Sequence, residues 1–117
     1  MSWSRTLPRP DPERVAATVF SALADPTRRS LLASLAEHGP STSTELSGRL
    51  GISRQGVAKH LALLTEAGLV TSGAGSGRRV LFRHRTEPLK VAQSFLGSLV
   101  ADWDDALDRL AGYLGRD

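Results

Sequence analysis

Two short helices separated by a tight turn are predicted in the middle of the chain, and this pair restricts the possible folds most strongly. The first covers residues 44–50, where leucines recur on one side. Gly51 and Ile52 supply the turn, and Ser53 is a favourable N-cap for the second helix. Gly68 stands where a left-handed residue ends such a helix. This is the helix-turn-helix arrangement.

The second helix of this pair has one apolar face and one polar face. Val57, Leu61 and Leu64 recur at helical spacing and form the apolar side. Hydrogen-bond donors and short side chains are concentrated at its start: Ser53, Arg54, Gln55, Gly56, Lys59 and His60. No acid interrupts them before Glu66, and such donors contact phosphates and base edges. An ordinary solvated helix is the alternative, but the preceding helix and turn favour DNA reading.

The residues after the second helix predict a β-hairpin. Residues 69–72 have β character, 73–77 form a glycine-rich turn, and 78–85 alternate well enough for a returning strand. A hairpin that follows such a helix and carries Arg78 and Arg79 at its tip is typical of a winged-helix wing. A glycine-rich turn can also bind nucleotide phosphate, but the Walker pattern is absent and no helix follows at once.

Two further helices precede the helix-turn-helix. Asp11 followed by Pro12 is a start signal, because the carboxylate caps the first turn and proline lacks an N–H that would be unpaired there. Asp25 followed by Pro26 repeats this signal, and the second of these helices is predicted to run to Glu37. Apolar residues form a stripe along the first helix, and Leu31, Leu32 and Leu35 of the second are expected to face inward.

Two polar segments flank these helices. Residues 1–10 contain two prolines and two arginines and predict a flexible basic arm, in which Trp3 has no assigned role. Thr42 and Thr44 lie at the entrance to the third helix, where hydroxyl and backbone N–H groups are a natural phosphate contact. Plain capping of the helix explains the same residues equally well, so the sequence leaves both roles open.

The last helix is predicted to begin near residue 87 and to end at about residue 114. A helix of about 26 residues spans roughly 39 Å, which is longer than a small domain needs to close its own core. Its apolar stripe, with that of the first helix, is expected to bury against a second copy of the chain. Packing within one copy is the alternative. The expected interface residues are Val15, Val19, Phe20, Leu96, Leu99, Trp103, Leu107 and Leu110.

These elements predict a mainly α fold with a small β-hairpin, a winged helix-turn-helix of about five helices and a two-stranded wing. With 117 residues, 40% of them hydrophobic, the chain is long enough for one modest core, assigned here to 11–117. It has no cysteine, which excludes disulfides and thiolate metal sites. Neither a signal peptide nor a membrane-spanning run is visible, so a cytoplasmic protein is expected.

Charge is unevenly distributed along the chain. The net charge is +3, but residues 26–86 hold nine bases against three acids. From residue 91 onward the balance reverses, with two arginines against five aspartates. A basic middle beside an acidic last helix predicts that a polyanion binds on one face, whereas a generally basic surface would not show this reversal.

Residues from about 15 to 114 resemble an ArsR-type (arsenic-repressor-like) winged-helix transcriptional regulator. The resemblance is carried by the sequences of 23–29, 45–46, 51–55, 57–61, 63–70, 77–79 and 103–110. It implies a homodimeric repressor whose reading helices enter successive major grooves of a two-fold symmetric operator. Residue by residue, it assigns Ser53, Arg54, Gln55, Lys59 and His60 to the DNA-reading helix and Arg78 and Arg79 to the wing.

The sensor residues of that family are not matched. Metal-responsive members carry cysteines on the third helix, where this chain has Thr42 and Thr44. Others place carboxylates and histidines along the last helix, which here has aspartates but no histidine after His84. His38, His60 and His84 lie on three different elements and make a poor ligand set. No metal site and no cofactor are therefore expected. A small-molecule inducer stays an open question.

Two other classes of function were compared with DNA binding. A winged helix can serve as a protein-interaction module, since the fold does not fix the function. Such a module would not need the acid-free face of the second helix, and a DNA-binding assay separates the two. An enzyme is not expected, because no nucleophile lies in a recognisable motif and the chain is small for a catalytic cleft.

Overall fold

The computed structural model describes residues 11–115, which form five helices and one antiparallel hairpin. In chain order the elements are α1 (Pro12–Leu23), α2 (Pro26–His38), α3 (Ser43–Leu50), α4 (Arg54–Glu66), β1 (Val70–Ala74), β2 (Val80–His84) and α5 (Glu87–Leu114). The predicted winged helix-turn-helix is therefore confirmed. The expected basic arm at 1–10, with Trp3, lies outside the described residues.

Polar side chains start the first four helices. Asp11 and Asp25 each accept a backbone N–H of the following turn at 3.0 Å. Thr42 and Ser53 cap α3 and α4 in the same way, at 3.1 and 3.0 Å. Each cap gives a partner to an N–H that the helix itself leaves unpaired. The predicted starts at Asp11, Asp25 and Ser53 are confirmed, and α3 begins at Ser43, one residue before its expected start.

The turn between α3 and α4 depends on a left-handed glycine. Gly51 has φ +68°, and its N–H donates to the carbonyl of Ser47 at 2.9 Å. The Ser47 hydroxyl then donates to the carbonyl of Ile52 at 2.6 Å. Ile52 packs against the core, so the turn is held by hydrogen bonds on one side and by apolar contact on the other.

One cluster of buried side chains joins the helices and the hairpin. Helix α1 packs against α5, while α2, α3 and α4 pack against one another. Each of these three helices also contacts one strand of the hairpin. The buried apolar residues are Ala16, Val19, Ala22, Leu31, Leu35, Leu46, Val57, Leu61, Leu64, Leu69, Val70 and Ala92. Full burial of one leucine side chain contributes about 1.5–3 kcal/mol, so this cluster holds the helix-turn-helix in place.

Two arginines of the basic middle segment close the end of α1. Arg28 donates from Nε to the carbonyl of Ala22 at 2.6 Å, and Arg29 donates from Nη1 to that of Leu23 at 2.6 Å. The last carbonyls of a helix lack partners within the helix and carry partial negative charge. These arginines therefore stabilise the junction of α1 with α2 and are not free charges for a polyanion.

The hairpin differs from its prediction in length and in its neighbours. Val70 pairs with His84 and Ala74 with Val80, so β1 extends through two residues that were expected in the turn. Glycine lacks a Cβ and can adopt the extended backbone of a strand. Because its strand propensity is weak, the sequence did not predict this pairing. Ser41, ahead of α3, forms a further antiparallel bridge to Phe82, with N···O distances of 3.1 and 2.8 Å. This bridge fixes the wing to the start of α3.

Helix α5 extends well beyond the part that α1 covers. Ala92 is buried, and Leu89 and Phe95 are half-buried against the core. From Leu96 to the end of the helix every residue is exposed. The exposed part is about 28 Å long at 1.5 Å per residue, and it carries large apolar side chains.

Candidate nucleic-acid interface

The polar row of α4 faces solvent because its opposite side is buried. Val57 and Leu64 are fully buried and Leu61 is 2% exposed. Gln55 and Lys59 lie one turn apart on the far side of the helix, and both are exposed. An amide and an ammonium group therefore stand side by side on an open helix surface.

Ser53 and Gly56 build the start of α4. The Ser53 hydroxyl accepts the N–H of Gly56 at 3.0 Å, and a Cβ added at Gly56 would lie 3.2 Å from that hydroxyl oxygen. The cap occupies one lone pair of the hydroxyl, which can still donate its own hydrogen. Arg54 follows the cap and is exposed, so the first turn of α4 presents one free guanidinium.

His60 lies on a different flank of α4 from the Gln55 row. Its Nδ1 is 3.8 Å from Oδ2 of Asp25, and within the described residues that nitrogen is inaccessible and has no hydrogen-bond partner. The side chain of His60 is 21% exposed. The resemblance assigned this residue to DNA reading, but the ring is directed at the start of α2.

The start of α3 and the wing form the two sides of a cleft. Its lining residues are Thr42, Ser43, Thr44, Glu45, Arg78, Arg79 and Val80. The hydroxyl of Thr42 accepts the N–H of Glu45, so capping explains that residue. Thr44, Arg78 and Arg79 are exposed. One hydroxyl and two guanidinium groups thus surround an opening beside a helix N-terminus, which is favourable for a phosphate.

Glu45 is an acid within this basic cleft, and its carboxylate makes two contacts there. Its Oε1 accepts the backbone N–H of Thr42 at 2.8 Å and lies 3.6 Å from Nη2 of Arg79. The backbone hydrogen bond from Thr42, and after it the hydroxyl of Thr42 and the charges of Arg79 and Arg49, lower the pKa of the Glu45 carboxyl. Glu45 is therefore ionised at neutral pH.

Sequence reasoning did not assign a role to Glu45 or to Arg49. The spacing of Thr42 and Glu45 is that of a capping box, and that pattern would have placed the carboxylate at the start of α3. Arg49 donates from Nη1 to the hydroxyl of Ser41 at 2.8 Å and to that of Ser34 at 3.4 Å. No sequence signal points to that pairing, because the partners come from other segments of the fold.

The count of nine bases therefore overstates the charge available to a polyanion. Arg28, Arg29 and Arg49 hold carbonyl or hydroxyl groups of the protein itself. Arg85 lies 3.4 Å from Glu87, at the start of α5. Of the nine bases in residues 26–86, the exposed ones without such a partner in the described part of the chain are Arg54, Lys59, Arg78 and Arg83.

The residues expected at a subunit interface divide into two groups. Phe20, Leu96, Leu99, Trp103, Leu107 and Leu110 are exposed by 39–67% and give α1 and α5 an apolar surface. Val19 is 1% exposed and belongs to the core of the single chain, where Val15 is half-buried. Packing within one copy therefore explains the burial of these two valines. The six other side chains remain exposed to solvent in a single copy.

Neither a metal cluster nor a membrane helix is found in residues 11–115. No group of three or more histidine, aspartate or glutamate side chains within that range could hold a metal ion. None of the helices that the structure describes is long and apolar enough to cross a membrane.

Comparison with known proteins places this geometry in a family. A helix-turn-helix domain model matches residues 23–73. The uncharacterized HTH-type transcriptional regulator YuzN of Bacillus subtilis (strain 168) is 46% identical over 78 residues, covering 62% of this chain and 84% of that protein. The structure of an ArsR-like transcriptional regulator from Rhodococcus sp. RHA1 matches with a TM-score of 0.78 and 34% identity, covering 86% of this chain and 93% of that one. The chain belongs to the ArsR family of helix-turn-helix transcriptional regulators.

A further ArsR family transcriptional regulator of known structure matches with a TM-score of 0.69 and 28% identity. It covers 79% of this chain and 93% of its own. The domain model extends from the end of α1 into β1, so it includes the helix-turn-helix but not the wing arginines or α5.

Proposed function

We propose that this ArsR-family regulator is a homodimeric repressor that binds a two-fold symmetric operator in double-stranded DNA. In this proposal Gln55 and Lys59 of α4 contact base edges and phosphates in the major groove. Thr44, Arg78 and Arg79 hold the DNA backbone beside α3 and the wing. The bound dimer blocks transcription by occupying the promoter, and it acts in the cytoplasm.

The exposed row on α4 is the observation that carries this proposal. Gln55 and Lys59 stand opposite a fully buried side, and no acid precedes Glu66 along the helix. An α-helix fits the major groove, where an amide reads adenine and an ammonium group reads guanine or phosphate. A surface helix without a DNA-binding role would not need to keep its first three turns free of acids.

The uncovered apolar surface of α5 supports the homodimer. Trp103 is 67% exposed, and Leu107 and Leu110 are each 53% exposed on the same helix. Large contiguous apolar surfaces of this kind mark interaction sites in proteins that stay in solution. A second copy offers the same stripe, so a two-fold contact buries both at once.

A homodimer also fits the form of the expected operator. Two linked copies of α4 would read two half-sites about one helical turn apart, roughly 34 Å. Each copy would contribute its own wing arginines, so phosphate contacts would double in the dimer. Counterion release from those phosphates predicts an affinity that falls steeply as the salt concentration rises.

The test is to map which DNA the purified protein protects upstream of its own gene. Protection should appear as two related half-sites. The footprint should weaken strongly as the salt concentration rises from about 50 to about 200 mM, because the affinity supplied by phosphate contacts falls steeply over that range. Failure to protect or shift any duplex would instead favour the winged-helix protein-interaction module.

Two substitutions distinguish contacts with base edges from contacts with the DNA backbone. Gln55→Ala should relax the base preference at one position, since a good bidentate contact discriminates by about 1–3 kcal/mol. Arg79→Ala should weaken binding to all sequences alike, because a phosphate contact carries no sequence information. A mobility shift that neither substitution alters would show that this docking is wrong.

A further inference from the structure

Glu45 lies where the proposed DNA backbone contact would form, yet it carries the same sign of charge as a phosphate. It shares the cleft between α3 and the wing with Arg78 and Arg79. Its carboxylate lies 3.6 Å from the Arg79 guanidinium, and the side chains of Arg79 and Glu45 are 55% and 41% exposed. The ion pair is therefore open to solvent, and an incoming anion can reach the guanidinium.

We infer that Glu45 competes with DNA phosphate for Arg79 and so lowers the affinity of the regulator for DNA of arbitrary sequence. This inference rests on the proposed function, because it needs the wing to approach a DNA backbone. A phosphate that takes Nη2 of Arg79 displaces the carboxylate, so one ion pair is exchanged for another. Binding to the operator weakens by the same factor, because a phosphate contact carries no sequence information.

The Glu45 carboxylate is held in place by a contact that does not involve Arg79. Glu45 is fixed by the N–H of Thr42 at 2.8 Å, whereas Arg79 is held by a longer contact of 3.6 Å. The carboxylate therefore stays at the start of α3 whether or not the guanidinium is bound to it. Hydrogen bonds from Thr42 also lower the pKa of the Glu45 carboxyl, so the charge remains at neutral pH.

The competition has a signature in salt dependence. An arginine that binds a phosphate releases a condensed cation from the DNA, which steepens the dependence of affinity on salt. When Arg79 leaves Glu45, the freed carboxylate attracts a cation back from solution, which offsets that release. Removal of the Glu45 charge should therefore raise the affinity and steepen the salt dependence together.

Glu45→Gln is the matched test variant, because glutamine also completes a capping box and accepts the same N–H. On a random-sequence duplex it should bind about threefold to tenfold more tightly for each protomer engaged, the size expected when a unit charge near a surface is removed. Its salt slope should be steeper by at most about 0.9 for each protomer engaged, the value for release of one cation from one phosphate. Asp108→Asn changes the net charge equally on α5 and should leave both quantities unchanged.

The Arg79→Ala background separates competition from simple repulsion. If Glu45 acts through Arg79, the gain from Glu45→Gln should shrink below about twofold once the guanidinium is absent. An equal gain in both backgrounds would overturn the inference, as would an affinity for random duplex that Glu45→Gln leaves unchanged. In both cases binding by the wild-type protein would leave the proposed function intact. A wild-type protein that binds no duplex contradicts the proposed function and the inference with it.

A second readout uses the wild-type protein and needs no substitution. The pKa of the Glu45 carboxyl, followed by NMR, should rise when random duplex is added, because the carboxylate loses Arg79 and gains a phosphate nearby. A pKa of Glu45 that DNA leaves unchanged would contradict the exchange of partners.

Discussion

Oδ2 of Asp25 lies 3.8 Å from Nδ1 of His60, so the cap of α2 meets the flank of the proposed DNA-reading helix. The same carboxylate accepts the backbone N–H of Arg28 at 3.0 Å. That hydrogen bond is the main cause of a lowered pKa of the Asp25 carboxyl, opposed by partial burial and assisted by the charges of His60 and Arg28. The carboxylate of Asp25 thus contacts both α2 and α4.

Acid should destabilise the folded protein through its capping carboxylates. The pKa values of Asp25 and Glu45 are lower in the folded protein than in the unfolded chain, so the folded state binds fewer protons. Their stabilisation is complete above the unfolded values, near about pH 4, and is lost as the pH falls through the folded ones. Denaturant unfolding from neutral to acidic pH measures this loss. Asp25→Asn should show a shallower pH dependence, and an unaltered dependence would count against the cap.

Two glycines of the α3 region should respond to alanine in opposite directions. Gly51 has φ +68° with nothing near its missing Cβ, so Gly51→Ala should destabilise by about 1 kcal/mol through backbone strain alone. Gly48 lies inside α3 in open space, and Gly48→Ala should stabilise by about 1 kcal/mol through helix propensity. Thermal unfolding of both variants tests this, and shifts of the same sign would contradict the left-handed turn.

Trp103 should control assembly without controlling the fold of one chain. It is 67% exposed, so Trp103→Asp should leave the core intact while placing a charge in the proposed interface. Sedimentation should then give a mass near 12.5 kDa instead of twice that value. Asp108→Asn is the control and should remain dimeric. A wild-type protein that sediments near 12.5 kDa at micromolar concentration would rule out a stable dimer.

Soft metal ions should not control DNA binding. Zinc, cadmium and arsenite need thiolate ligands or clustered histidine and carboxylate ligands, and the chain has no cysteine. Its histidines lie on three separate elements, and Asp104 and Asp108 offer oxygen ligands alone. A DNA titration should therefore be unaffected by micromolar amounts of these ions or by chelators. Release of DNA by one of them, reversed on its removal, would refute this expectation.

The sequence predicted the parts of the fold that local signals determine. Aspartate–proline pairs marked the starts of α1 and α2, Ser53 and Gly68 bounded α4, and the leucine spacing identified its buried side. These signals work because capping and amphipathic burial act within a few residues of the chain.

The missed features depend on residues that are distant in sequence. Pairing of Ser41 with Phe82 requires the wing to fold back on α3, and no local pattern encodes it. Arg28 and Arg29 looked like charges for a polyanion, but they close α1. His60 matched a DNA-reading position, but its ring faces Asp25 across a contact between α2 and α4. A count of charges in sequence cannot show which of them the fold itself uses.

The exposed end of α5 makes the order of this helix depend on the concentration of the protein, if the proposed dimer covers it. From Leu96 to Leu114 every residue of the helix is exposed in a single chain, and an isolated helix of that size is marginal in water. In the proposed homodimer, a second copy would cover these turns and stabilise them by mass action, so their order would depend on protein concentration. Dilution below the dissociation constant would then loosen the end of α5 and separate the two DNA-reading helices in one event. In a cell that makes little of this protein, the proposed dimers would be fewer and the end of α5 would be frayed in the monomers. The fraction of operators occupied would then fall more steeply with protein concentration than dilution of a stable dimer predicts.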